Sequence, residues 1–209
     1  MENKRNTDLE TWLRALASDE PAPGGGGATA LVGSCAAALG AMVANLTKGN
    51  GKYANVKEEM CLLAEQTEAL SARLYELIDR DREAFLPLAA VYRIPKDQPG
   101  RSETMEAALR TAAGAPMDML QAVSEIPPLL ATLLEKGSRL AVSDVGCGAA
   151  FCAGAARSAY LNILVNTGLM KDRAYAEERN REAKELLESV DCACGTLYDA
   201  VRKRLSGTV

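Results

Sequence analysis

Apolar residues recur at intervals of three and four along most of the chain, which places them on one face of an α-helix. No run alternates between apolar and polar residues in the manner of a half-buried strand, and valine and isoleucine are sparse. The pattern therefore predicts an all-α protein, a single-domain helical bundle over residues 1–209. Its clearest predicted helices cover residues 9–16, 28–46, 53–90, 117–126, 145–169 and 172–205.

Caps and helix breakers predict where individual helices begin and end. Thr7, with Glu10 three residues later, fits a capping box before the first helix. Asp144 is placed to cap the helix that follows it. Gly114 and Pro116 are expected to interrupt the helix that starts near residue 102, because proline lacks the N–H that a helix interior needs. The middle of the chain is thus expected to consist of several short helices.

Two of the predicted helices carry almost no charge and are built from small residues. Residues 28–46 contain no charged side chain, and residues 145–169 contain only Arg157. The first is about long enough to cross a bilayer, but it lacks the large apolar side chains of confident spanning helices. We expect two central bundle helices and no membrane insertion. We also expect a homodimer whose interface includes both helices, since uncharged surfaces of this kind need burial.

Composition and charge narrow the possible functions. The 209 residues carry a formal net charge of −4, which gives no general attraction to nucleic acid or to anionic membranes. The chain contains no histidine, so Ser-His and Cys-His catalytic pairs and His-ligated metal sites are excluded within it. The N-terminal residues are polar and lack the apolar stretch of a signal peptide. We therefore expect a cytoplasmic protein with free thiols.

The cysteines that stand near one another are expected to serve packing. Cys192 and Cys194 resemble half of a metal or redox motif, but residues two apart on a helix do not face each other. The chain has no complementary Cys-x-x-Cys pair. Cys147 and Cys152 lie in the second small-residue helix. We predict that these thiols lie in the core and that the protein has no metal site.

A glycine-rich segment, Pro21-Ala22-Pro23-Gly24-Gly25-Gly26-Gly27, directly precedes the first small-residue helix. Glycines there can bring backbone N–H groups close to a ligand, either for lack of a side chain or through a backbone conformation reserved for glycine. The segment has no Lys-Ser/Thr ending of a P-loop and no preceding strand. The structural alternative is a flexible turn that permits close helix packing. The candidate ligand-binding residues are Gly24, Gly25, Gly26 and Gly27.

The glycine-rich segment is the first of several short motifs spread over nearly the whole chain. It is followed by Met42-Val43-Ala44-Asn45-Leu46-Thr47, Gly51-Lys52-Tyr53, Asp81-Arg82-Glu83-Ala84-Phe85, Ala115-Pro116-Met117, Ser143-Asp144-Val145-Gly146 and Leu161-Asn162-Ile163-Leu164-Val165-Asn166. In this set the chain resembles the formiminotransferase-cyclodeaminase family, including its free-standing methenyltetrahydrofolate cyclohydrolases. Gly27 stands where many members carry serine, and in this the chain is similar to the free-standing cyclohydrolases.

The resemblance implies an all-helical homodimer that binds a tetrahydrofolate derivative near the glycine-rich segment and close to the subunit interface. It implies no cofactor beyond the folate substrate. The chain carries no formiminotransferase segment, so we expect a methenyltetrahydrofolate cyclohydrolase, which hydrolyses 5,10-methenyl- to 10-formyl-tetrahydrofolate. The alternatives are a formiminotetrahydrofolate cyclodeaminase, which closes the ring with release of ammonia, and a helical dimer that binds folate without turnover.

Carboxylates are the simplest catalytic groups for such reactions in a chain without histidine. Both substrates carry positive charge, which a carboxylate can stabilise while another group positions water or moves a proton. Asp81, in a charged break on a long helix, and Asp144, ahead of an apolar helix, are the predicted catalytic residues. Their ordinary alternatives are a solvated side chain for Asp81 and a helix cap for Asp144. The family resemblance favours catalysis.

Polar residues in or after the small-residue helices are the remaining candidates for folate binding. Three asparagines need hydrogen-bond partners there, which a pterin or a neighbouring helix would provide. Two lysines after the first of these helices could pair with the folate glutamate carboxylates or simply be solvated. A tyrosine completes the motif with the second lysine. These predicted substrate-binding residues are Asn45, Lys48, Lys52, Tyr53, Asn162 and Asn166.

Overall fold

The computed structural model describes residues 8–207, which fold into seven α-helices with no strand among them. In chain order the helices are α1 Leu9–Leu16, α2 Gly25–Lys48, α3 Lys57–Tyr92, α4 Arg101–Ser124, α5 Ile126–Lys136, α6 Val142–Thr167 and α7 Arg173–Ser206. Two 3-10 helices, Gly51–Val56 and Arg139–Ala141, lead into α3 and α6. The prediction of an all-α fold is confirmed.

The two small-residue helices, α2 and α6, form the centre of the bundle. α2 packs mainly against α3 and α6, and α6 packs in addition against α4 and α7. Glycines allow this close approach. A Cβ at Gly148 would lie 3.4 Å from the carbonyl oxygen of Ala36, and one at Gly40 would lie 3.1 Å from Thr67 Cγ2. Larger side chains at these positions would force the helices apart, which explains the composition of both.

α2 runs antiparallel to both α3 and α6. The Ser138 N–H, just before α6, donates to Thr47 Oγ1 near the end of α2 at 2.9 Å. At the other end of the pair, Asn162 of α6 lies beside Gly25. Asp81 of α3 lies beside Gly26. We call this end of the bundle, which holds Gly25–Gly27, the glycine end, and the opposite end, which holds Lys48, the lysine end.

α2 is the one helix among residues 8–207 that is long and apolar enough to cross a membrane. However, 61% of its most apolar window is buried inside the bundle. A core helix meets the same criteria of length and composition, and the packing of α2 between α3 and α6 accounts for its apolar character. The helix is therefore weak evidence for a membrane span.

Two predicted features of the helix boundaries were wrong. Asp8 caps α1, because its carboxylate accepts a hydrogen bond of 2.9 Å from the Thr11 N–H; the predicted cap, Thr7, lies outside the described residues. α4 is continuous through Gly114 and Pro116, and Pro116 is buried within it. Proline removes only one hydrogen bond from a helix of this length, and burial of the surrounding apolar side chains outweighs that loss.

The small-residue helices both start earlier than predicted. α2 begins at Gly25, so that Gly25, Gly26 and Gly27 form its first turn and only Gly24 precedes it. α6 begins at Val142, which places Asp144 in its first turn and not at the cap position. An acidic side chain there is still favoured by the positive end of the helix dipole.

The cysteine prediction holds for half of the residues named. Cys152 and Cys194 are buried in the core, whereas Cys147 and Cys192 are exposed on α6 and α7. All six cysteines are free thiols in the structure. Within residues 8–207, no three His, Cys, Asp or Glu side chains are grouped so as to hold a metal ion.

Candidate active site

The carboxylate of Asp81 lies directly against the first turn of α2. A Cβ placed on Gly26 would overlap the Cγ and both carboxylate oxygens of Asp81. Gly26 is itself buried, so the carboxylate has been brought against the backbone inside the fold. Asp81 reaches this position because α3 runs antiparallel to α2. Glycine at residue 26 is therefore what makes room for the Asp81 side chain.

Burial changes the acid strength of Asp81. Removal of the carboxylate from water raises the pKa of Asp81 above its usual value, while a hydrogen bond from the Gly27 N–H acts in the opposite direction. Gly27 belongs to the first turn of α2, where the helix dipole also favours the charged form. Burial is the larger effect, and the pKa is raised overall. A carboxylate of this kind is suited to general acid or base catalysis nearer to neutral pH.

Asn162 brings α6 to the same place. A Cβ at Gly25 would lie 3.6 Å from Asn162 Oδ1 and 3.7 Å from its Nδ2. The Nδ2 donates to the Ser158 carbonyl at 2.8 Å, and one turn later Asn166 donates to the Asn162 carbonyl at 2.8 Å. The side-chain amides of Asn162 and Asn166 therefore both donate to carbonyls of α6 itself. Neither donates to a neighbouring helix, which was one of the two kinds of partner expected for them. One N–H of the Asn162 amide is therefore used within its own helix.

Trp12 of α1 covers the third glycine of the turn. A Cβ at Gly27 would lie 3.5 Å from Trp12 Cζ2 and 3.8 Å from Ile78 Cγ2. The sequence pattern identified Trp12 only as an apolar position of α1. Two signals mark it out: it is the one tryptophan of the chain, and its short helix immediately precedes the glycine-rich segment. Asp81, Asn162 and Trp12 thus surround three successive glycines.

The backbone conformation of Gly24–Gly27 does not require glycine at these four positions. Among the described residues, positive φ angles occur at Gly100 and Gly207, and none occurs in Gly24–Gly27. Gly24 is extended, with φ −133° and ψ −157°, and a Cβ there would have nothing within 4 Å. The expectation of a conformation reserved for glycine was therefore wrong. Close approach of neighbouring side chains explains the glycines that follow.

The other predicted binding residues lie at the lysine end. Asn45 Nδ2 donates to Glu68 Oε1 of α3 at 3.0 Å, an interhelical hydrogen bond. The Tyr53 hydroxyl accepts from the Arg139 N–H at 3.1 Å, and this hydrogen bond lowers the pKa of Tyr53. Lys48 is half-buried in the last turn of α2, and Lys52 is exposed in the 3-10 helix that follows.

Asp144 also lies far from Asp81 within one chain. The part of α6 from Asp144 to Asn162 spans roughly 27 Å at the rise of an α-helix. By the same measure, Gly25 and Lys48 are roughly 35 Å apart along α2. The predicted site residues therefore form two groups at opposite ends of the α2–α6 pair. The catalytic role of Asp144 stays a prediction.

An open groove of about 550 Å³ lies between α2 and α3. Ser34 of α2 lines the groove, and its hydroxyl donates a hydrogen bond of 2.9 Å to the Ser71 carbonyl of α3. Met42, Asn45 and Tyr75 also line it. The groove thus extends along α2 from the middle of the bundle toward the lysine end and presents both polar and aromatic groups.

Comparisons with known proteins agree with this architecture. A family model described as formiminotransferase-cyclodeaminase matches residues 8–185. The chain is 36% identical to a methenyltetrahydrofolate cyclohydrolase of Methylorubrum extorquens, over 96% of this chain and 99% of that protein. It is 28% identical to a formimidoyltransferase-cyclodeaminase of Mus musculus, over 95% of this chain but 38% of the mouse protein.

A solved structure has the same fold. The crystal structure of formiminotetrahydrofolate cyclodeaminase from Thermotoga maritima superposes with a TM-score of 0.81 and 30% identity, covering 97% of both chains. The helical bundle, the glycine-rich turn and the sequence match thus lead to one conclusion, and the resemblance found in the motifs is confirmed. The chain belongs to the formiminotransferase-cyclodeaminase family.

Proposed function

We propose that this chain is a methenyltetrahydrofolate cyclohydrolase, a folate one-carbon enzyme that hydrolyses 5,10-methenyl- to 10-formyl-tetrahydrofolate. The observation that carries the proposal is the match to a cyclohydrolase over nearly the full length of both proteins. The half-buried carboxylate at the glycine end supports it, because the substrate carries a cationic carbon. The free cysteines suit a reducing compartment, and we place the enzyme in the cytoplasm.

Asp81 is the catalytic carboxylate in this proposal. A negative charge in surroundings poor in water stabilises a nearby cation more strongly than the same charge in bulk solvent. Water adds to the methenyl carbon and gives a proton to Asp81. The bond from that carbon to N5 then breaks as the new hydroxyl becomes the carbonyl of the formyl group, which remains on N10. N5 takes up the proton held by Asp81, and the hydroxyl proton passes to solvent water. The raised pKa of Asp81 favours its acceptance of the proton.

Cyclodeamination is the second candidate function. The structural neighbour at TM-score 0.81 is a formiminotetrahydrofolate cyclodeaminase, and this observation favours it. In that reaction N10 attacks the formimino carbon and ammonia leaves. The substrate is again cationic, so the same carboxylate would serve. The two functions differ in the group that attacks the carbon, which is water in one and N10 in the other.

We further propose that the protein is a homodimer held by the outward faces of α2 and α6. Apolar side chains exposed on these faces include Leu161 and Val165, which are 65% and 62% exposed. Contiguous apolar surfaces on soluble proteins commonly mark interfaces. Both helices contribute, and their exposed large side chains are Val32, Met42, Leu46, Phe151, Leu161 and Val165.

A twofold axis perpendicular to α2 would unite the two groups of site residues. It would bring the lysine end of one protomer to the glycine end of the other. In this arrangement Asp81 and Asn162 of one protomer share a site with Asp144, Lys48 and Lys52 of its partner. The lysines would then face the glutamate carboxylates of a folate whose ring lies at the glycine turn.

The function is tested by assaying purified protein with 5,10-methenyl- and 5-formimino-tetrahydrofolate. We expect turnover of both to be measurable and hydrolysis of the methenyl substrate to be faster. Faster release of ammonia from the formimino substrate would instead identify a cyclodeaminase. Saturable folate binding without turnover of either substrate would show a non-catalytic folate-binding protein and would contradict the proposal.

Two pairs of variants test the role of Asp81. Asp81→Asn is expected to lower kcat by about 10²–10⁴-fold, whereas Asp79→Asn, an exposed neighbour on α3, should be near normal. Gly26→Ala displaces the carboxylate without removing it and should cost about 10²-fold. Gly195→Ala, at an exposed glycine of α7, is its control, because nothing lies within 4 Å of that position. Thermal melts check that each variant folds, and a wild-type rate for Asp81→Asn would exclude the mechanism.

A further inference from the structure

α1 is the one α-helix among the described residues without a buried residue, and its Trp12 contacts the glycine end. None of its residues is buried. Leu9 and Leu13 are 59% and 47% exposed, whereas Trp12 is half-buried. The indole meets the bundle at Gly27, next to Ile78 of α3. Trp12 therefore lies at the surface of the site and retains exposed area on the indole.

The position of the indole relative to Asp81 follows from two neighbours that they share. Gly27, which meets Trp12 Cζ2, also gives its N–H to the Asp81 carboxylate. Ile78, which meets the same glycine, precedes Asp81 by one turn of α3. The indole and the carboxylate thus flank the same turn of backbone. The indole therefore lies against the same turn of α2 as the charged group on which the proposed reaction depends.

We propose that Trp12 is a substrate-positioning residue, whose indole forms one wall of the site and stacks against the fused ring of a bound pterin. The inference deepens the proposed function and rests on it. A rigid aromatic side chain loses little conformational freedom when it stacks, and its half-exposed surface becomes covered by the ligand. Gly24, just before this turn, has nothing within 4 Å of its Cβ position, which leaves space for a flat ring beside the turn.

Steady-state kinetics on methenyl-tetrahydrofolate test the stacking. Trp12→Leu keeps apolar bulk but removes the flat ring, and we expect KM to rise about three- to tenfold with kcat changed less than twofold. Trp12→Phe keeps a ring and should restore most of the affinity. Leu13→Ala, on the exposed side of α1, is the matched control and should keep the wild-type KM. Equal rises in KM for all three variants would assign Trp12 a merely structural role and overturn the inference.

Fluorescence gives a readout that does not depend on turnover. Trp12 is the only tryptophan of the chain, so tryptophan emission reports on this position alone. Titration with 5-formyl-tetrahydrofolate, which carries neither the methenyl nor the formimino group of the two candidate reactions, should quench the emission saturably after correction for absorbance with free tryptophan titrated in parallel. Quenching without enzymatic activity would sink the proposed function and leave the positioning role intact. Enzymatic activity together with unchanged emission on titration and an unchanged KM in Trp12→Leu would overturn the positioning role and leave the proposed function intact.

Discussion

At the scale of the residue, the glycine end combines two residues, Asp81 and Gly26, that each oppose the stability of the fold. Asp81 loses hydration when it is brought against the backbone of Gly26. Gly26, inside the first turn of a helix, costs conformational entropy that alanine would not. Neither choice is explained by packing alone. Both choices fit the proposal that this turn holds a carboxylate where a substrate can reach it.

The pKa of Asp81 predicts how this residue affects stability. Because its folded pKa is raised, Asp81 favours the folded state below its unfolded pKa and loses that contribution as the pH rises through the folded value. We therefore expect Asp81→Asn to unfold at a higher temperature than wild type at about pH 7. The difference should shrink as the pH falls toward about 4, where the wild-type carboxyl becomes neutral.

Thermal melts of wild type, Asp81→Asn and Asp79→Asn at several pH values measure this dependence. The Asp79→Asn variant, altered at an exposed position of the same helix, should follow the wild-type curve. If Asp81→Asn were the less stable protein at neutral pH, the hydrogen bond from the Gly27 N–H would outweigh the loss of hydration.

At the scale of the element, the stability of α2 depends on how closely its neighbours approach. A Cβ at Gly33 would lie 3.1 Å from Val123 Cγ2 and 3.3 Å from Leu74 Cδ2. α3 and α4 therefore both meet α2 at a position that has no room for a side chain. By contrast, Gly114 is exposed on the surface of α4, and nothing lies within 4 Å of its Cβ position. The two glycines differ in what surrounds them, although both lie inside helices.

These surroundings predict opposite effects of substitution. Gly33→Val should lower the free energy of unfolding by about 1–3 kcal/mol, because the added carbons overpack the junction of α2, α3 and α4. Gly114→Ala should raise it by about 0.5–1 kcal/mol, since alanine favours the helix and meets no neighbour. Urea unfolding measures both, and each variant serves as the control for the other. A Gly33→Val protein as stable as wild type would show that the helices can separate at little cost.

At the scale of the whole molecule, one chain places its candidate residues at opposite ends of the bundle. Asp81 and Asp144 can meet at one site only if the site is built by two chains. The exposed apolar faces of α2 and α6 provide a surface on which two copies would pack. In the proposed dimer each of the two sites takes one carboxylate from each protomer.

Mixing two inactive variants tests this arrangement. Asp81→Asn and Asp144→Asn should each be impaired alone. After subunit exchange in an equal mixture, about half of the dimers contain one chain of each kind, and one of their two sites is intact. We expect recovery of about a quarter of the wild-type activity. Mixing at low temperature, before exchange, is the control.

Three other outcomes would each contradict the shared site. They are no recovery after demonstrated exchange, a strictly monomeric protein at micromolar concentration, and full activity of Asp144→Asn alone. In the last case Asp144 would act only at the start of α6, where its charge complements the helix dipole.

The sequence by itself was sufficient for the helical class, the small-residue helices and the family, whereas the catalytic role of Asp81 stays a prediction. These depend on the spacing of apolar residues and on short motifs, which are local properties of the chain. The proximity of Gly26 to Asp81 and of Trp12 to Gly27 depends on which faces of distant helices pack together. Only the tertiary structure decided which faces pack together. It also decided that Asp144 lies at the end of α6 opposite Asn162 and that Pro116 is accommodated inside α4. Burial of apolar surface between helices determines these contacts, and it is a property of the assembled bundle that no single stretch of sequence contains.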